Sequence, residues 1–137
     1  MDSALEQTFL NTRYVVAYPK GDIVLRVGEH CPALDLLLAG CDPPDAAFIT
    51  AWNPGAVRMA PEENARRQAA LLAAVRRLGH AFLPGRGEGA GGAWPPEASI
   101  LVLGIGRRQA LELARAFGQA ALVYAARGQP VALLACD

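Results

Sequence analysis

Apolar and polar positions along the chain change period several times, and the changes mark its elements. Tyr14-Val15-Val16-Ala17-Tyr18 and Ile23-Val24-Leu25-Arg26-Val27 are β-rich runs on either side of Pro19-Lys20-Gly21-Asp22. That spacing predicts a hairpin. Residues 3–10 have the pattern of a short helix with Leu5 and Phe9 inward. Pro32 opens another over Ala33-Leu34-Asp35-Leu36-Leu37-Leu38-Ala39, which Gly40 can close. Ala47-Phe48-Ile49-Thr50-Ala51 reads as a buried strand that runs into Trp52-Asn53-Pro54, a polar turn.

A long helix is predicted over residues 61–78, with Pro61 in its first turn, Glu62 and Glu63 complementing the dipole, and Gly79 as its stop. At 100° per residue, Gln68, Leu71, Val75 and Leu78 share one face with Asn64, while Arg67 lies on its margin and Arg66 and Arg77 point away. His80-Ala81-Phe82-Leu83 suggests a short strand. The glycines at 85, 87, 89, 91 and 92 then suggest a mobile lid or linker. Ser99-Ile100-Leu101-Val102-Leu103 reads as a strand covered on both faces. A helix over 107–117 follows, and Ala121-Leu122-Val123-Tyr124-Ala125 with Val131-Ala132-Leu133-Leu134 makes a closing hairpin. The order predicts a single α+β domain over residues 1–137, a mixed, mostly antiparallel sheet with about three helices packed on it.

Composition narrows the function classes. Thirteen basic residues balance thirteen acidic ones, so no global field draws in nucleic acid, and no nucleic-acid partner is expected. Twelve of the thirteen bases are arginine and alanine is abundant, a bias expected of a GC-rich bacterial genome. The N-terminus lacks the apolar run of a signal peptide and no segment approaches membrane-spanning length, so a cytoplasmic protein without membrane association is expected. Cys31, Cys41 and Cys136 form an odd set without a Cys-x-x-Cys pair, which predicts reduced thiols and no metal site.

Catalytic and cofactor signatures are sparse. The glycine run lacks the Gly-Lys-Ser/Thr ending of a phosphate loop, and Gly104-Ile105-Gly106 lacks the third glycine of a dinucleotide turn. Packing of helix against strand is the simpler reading of that pair, and no cofactor is expected. His30 and His80, the only histidines, have no triad context.

Taken together, Ile49-Thr50-Ala51-Trp52-Asn53-Pro54, Glu63-Asn64, Trp94 with Glu97 and Ser99, and Phe117-Gly118-Gln119 make the chain resemble the bacterial family DUF3293. The likeness extends from the Thr12-Arg13-Tyr14 strand over nearly the whole length. It implies no catalytic residues, because the family is a domain of unknown function. Ala60 departs from the serine-like helix cap expected at that position.

The polar residues Asn53, Asn64, Arg67, Glu97 and Gln119, with Trp52 and Trp94 as walls, are the candidate ligand-binding set. They are expected to meet in one cleft if the Ile49 and Leu101 strands run antiparallel. The expected function is recognition of a small polar molecule or a peptide end. The alternatives are a protein–protein assembly module, in which the asparagines merely tie down backbone and Glu97 pairs with Arg67, and a hydrolase using Glu97 as general base.

Overall fold

The computed structural model describes residues 1–92 and 95–137. Among them the chain order is α1 (Ser3–Leu10), β1 (Arg13–Val16), β2 (Ile23–Leu25), α2 (Pro32–Leu38), β3 (Asp45–Ile49), α3 (Pro61–Leu78), β4 (Phe82–Glu88), β5 (Glu97–Leu103), α4 (Arg107–Ala116), β6 (Ala121–Ala126) and β7 (Ala132–Ala135). Short 3-10 turns at Pro54–Ala56 and Ala90–Gly92 complete it. The strands form one sheet in the order β2-β1-β4-β5-β3-β6-β7, and every neighbouring pair is antiparallel. The α+β class is that expected, with four α-helices rather than about three.

The helical connections explain the strand order. Strands β3 and β4 flank β5 and are joined by α3, whereas β5 and β6 flank β3 and are joined by α4. Two β-α-β units are thus interleaved, in the manner of a ferredoxin-like core. The β1–β2 hairpin extends one side of this core and β7 the other.

Two apolar clusters cover the two faces of the sheet. Leu71 and Val75 of α3 and Ala110, Leu113 and Ala114 of α4 pack with Ala47, Ile49, Ile100 and Val102. On the other face, Leu34 and Leu38 of α2 pack with Tyr14, Val16, Phe48 and Leu101. Strands β3 and β5 contribute to both clusters because successive side chains point to opposite faces. Leu78, expected on the buried stripe of α3, is 46% exposed. It is the last helical residue before Gly79 turns left-handed.

The segment expected to be a loop at Pro84–Glu88 is instead the second half of β4, paired with both β1 and β5. Its glycines are spaced two apart, so they strip one face of the strand. A Cβ on Gly85 would lie 2.7 Å from the Val15 carbonyl oxygen and 2.8 Å from Phe48 Cε2. The bare backbone gives the Phe48 ring its place, where Tyr14 meets it edge-on with centroids 5.3 Å apart. Among the described residues no helix is long and apolar enough to cross a membrane.

Candidate functional site

Antiparallel pairing puts the end of β3 and the starts of β5 and β6 on one rim of the sheet. Beyond Ile49 the chain turns at Asn53, whose backbone is left-handed (φ 46°, ψ 60°). Asparagine tolerates that conformation better than most residues. The turn is held from within. Asn53 N donates to Asn64 Oδ1 at 2.9 Å, and Met59 N donates to Asn53 Oδ1 at 2.9 Å.

These two backbone donors determine how both side-chain amides face. Asn64 must turn its oxygen to Asn53 N, so its Nδ2 donates to Asn53 Oδ1 at 2.9 Å. Asn53 must turn its oxygen to Met59 N, so its Nδ2 reaches Glu97 Oε2 at 2.8 Å. Glu97 opens β5 directly opposite Gly87 of β4. Because Gly87 carries no side chain, the space beside the carboxylate stays open.

That space is a cleft of about 830 Å³ on the α1 side of the sheet. Tyr14, Phe48 and Trp52 supply much of its apolar wall, and Glu97, Ser99 and Gln119 are among its polar groups. None of the described residues lining it is basic; its charged side chains are Asp2 and Glu97. Burial pushes the Glu97 carboxyl above the ordinary glutamate range, and the Asn53 hydrogen bond only partly offsets this. Burial likewise raises the Tyr14 phenol, with the nearby Glu97 charge adding to the effect.

Asn64 and Arg67, expected in the ligand site, lie behind it and do not line the cleft. Asn64 is 2% exposed and committed to the turn. Arg67 Nε donates to the Ala51 carbonyl at 3.1 Å and Nη2 to the Phe117 carbonyl at 2.8 Å. It pins α3 to the ends of β3 and α4 and makes no ion pair with Glu97. Gln68, one turn from Asn64, accepts from Ala51 N at 3.0 Å. Gln119 Nε2 donates to the carbonyls of Trp52 and Phe117 at 3.2 and 3.3 Å. Trp52 lines the cleft, although its Nε1 is buried without a hydrogen-bond partner among the described residues. Trp94 lies outside the described residues. Ala60 caps α3 with no side-chain hydrogen bond, and the Asn64 amide N donates to its carbonyl at 3.0 Å.

Several lining groups escaped the sequence reading, namely Tyr14, Phe48, Gly87 and the inner face of α1. The legible signal was the two-residue spacing of Gly85, Gly87 and Gly89, the mark of a strand with one bare face. The family model described as a protein of unknown function (DUF3293) matches residues 49–122, more than half of the chain. The chain belongs to the DUF3293 family. The DUF3293 match runs from the last residue of β3 into β6, so it contains both interleaved crossovers and every candidate residue from Trp52 to Gln119. No curated protein and no solved structure matches the chain.

Proposed function

We propose that this DUF3293 chain is a small-molecule binding domain of the bacterial cytoplasm, taking a small polar ligand or a peptide end in the cleft beneath α1. The observation that carries the reading is Glu97, a half-buried carboxylate in a largely apolar cleft with no basic partner among the described residues. Buried charges in proteins are ordinarily paired, and one held toward open space is arranged for something that enters. The volume is in the range of pockets that bury a small organic ligand. Three unpaired thiols fit a reducing compartment.

A second reading rests on the same carboxylate. A glutamate with raised proton affinity in a cleft suits a general base, as in a hydrolase that activates water through Glu97. Asp2 is the other acid in the lining, and its Oδ1 is committed to capping the Leu5 amide at 2.8 Å. The assembly reading draws less support. The strongly exposed apolar side chains Leu36, Val57 and Leu78 sit on α2, the loop before α3 and the end of α3, not on one element.

Amide NMR spectra recorded with a fragment library test the proposal. Binding fragments are expected to shift Tyr14, Trp52, Ser99 and Gln119, and Gly87→Val is expected to abolish those shifts while the fold persists. A Cβ at Gly87 meets only Thr12 Cγ2, at 3.7 Å, so the larger side chain fills the cleft and not the core. Fragments that bind elsewhere, or bind Gly87→Val equally well, would overturn it. Turnover of ester or amide fragments by the wild type, lost in Glu97→Gln, would favour the hydrolase.

A further inference from the structure

We infer that the ligand is an organic cation, a protonated amine carried on a compact apolar or aromatic body, with Glu97 as its counter-ion; this rests on the cleft being a binding site. Most polar hydrogens of the lining are already committed to the protein. The hydroxyls of Thr8, Thr12, Tyr14, Thr50 and Ser99 all donate to backbone carbonyls, those of Ala4, Thr8, Phe9, Ala98 and Glu97, at 2.7–3.1 Å. The Gln119 amide nitrogen donates to two further carbonyls, and Asn53 Nδ2 donates to Glu97. These donors are all directed into the protein. Two lining donors are left over, the side-chain amide of exposed Asn11 and the buried Trp52 Nε1, and both are neutral. The strongest group left for a ligand is an acceptor, Glu97 Oε1, which has no partner among the described residues, and a ligand that satisfies it must bring a donor.

Charge points the same way. The chain as a whole is balanced, with thirteen basic and thirteen acidic residues, yet the described residues of the cleft lining include two acids and no base. An anion placed there would meet a carboxylate and no compensating cation. A protonated amine finds an ionised acceptor for a charge-assisted hydrogen bond. The rings of Tyr14, Phe48 and Trp52 in the lining offer apolar contact for its body, and an aromatic ring beside a cation adds electrostatic attraction.

The test uses three probes that share one body and differ in charge: phenethylamine, 2-phenylethanol and phenylacetate. Each is titrated into the intact chain and into Glu97→Gln, which still offers Asn53 Nδ2 a carbonyl oxygen, and amide shifts are followed at Tyr14, Trp52, Ser99 and Gln119. The expected order in the wild type is amine tightest, alcohol weaker and carboxylate weakest, with amine binding falling roughly 10- to 100-fold in Glu97→Gln and the alcohol little changed. Equal or tighter binding of the alcohol or the carboxylate overturns the cation inference, and that comparison needs no variant. Such a result leaves the cleft as a binding site. Failure of all three probes overturns the inference, and absence of any fragment in the cleft overturns the binding reading as well.

Discussion

Asn53 presents an N–H, and nothing else, to Glu97 across 44 residues of chain, at 2.8 Å. The arrangement follows from two backbone amides that orient Asn64 and Asn53 in turn. Glu97 is therefore held by a neutral donor in the lining of a cleft, where a structural ion pair would have brought an arginine. The consequence is measurable in the folding equilibrium. Because burial raises its proton affinity in the folded state, Glu97 contributes stability that is fully present below its unfolded pKa and lost as pH rises through its folded pKa. Glu97→Gln lacks that loss. Denaturant melts are expected to show the variant as stable as the wild type or slightly more so at pH 7, with the advantage disappearing toward pH 4. A loss of several kcal/mol at pH 7 would mean that the carboxylate is a structural partner.

Asn64 is the opposite case, a buried residue whose side-chain amide is spent on the turn at Asn53. Asn64→Ala removes the acceptor for Asn53 N in a site that is 2% exposed and leaves that amide buried without a partner. The expected cost is about 1–3 kcal/mol in chemical denaturation. A near-neutral result would show that the turn is held by other means.

Two glycines of β4 separate packing from site. Gly85→Ala forces a methyl against the Val15 carbonyl and the Phe48 ring, and a loss of more than about 2 kcal/mol is expected. Gly87→Val has no such obstruction and should keep its melting temperature within a few degrees. Calorimetry on the pair distinguishes them, and equal destabilisation would contradict the assignment of Gly87 to the cleft wall.

Within α3, Leu71 and Val75 are fully buried against the sheet, whereas Arg77 is exposed. Leu71→Ala should cost roughly 2–5 kcal/mol through the cavity it leaves, and Val75→Ala somewhat less. Arg77→Ala should stay within about 0.5 kcal/mol. Urea midpoints for the three variants check the orientation of the helix.

Much of this architecture was legible because periodicity reports which face of an element is buried. The Leu71–Val75 stripe carried Asn64 and Gln68 inward with it, and the apolar run at Leu101 marked an interior strand. The interleaving of the two crossovers was not legible. No parallel neighbours result, and which strand slips between two others is decided by long-range pairing that leaves no local pattern. Glycine composition misled at Pro84–Glu88 because a loop and a strand stripped for a ring are equally poor in side chains; only the spacing tells them apart. At the site, residue type brought out Asn53, Glu97 and Gln119 but could not separate the groups that line the cleft from Asn64 and Arg67, which hold it open from behind. That division depends on which polar atoms the backbone claims first.

If Glu97 is the counter-ion of a bound cation, its own titration must respond to the ligand. Carbon-detected NMR of its side-chain carboxyl, titrated with and without phenethylamine, tests this most directly. A pKa above the ordinary glutamate range is expected in the free protein, with a fall when the amine is bound. A free-protein value at or below that range, unmoved by the amine, would contradict it.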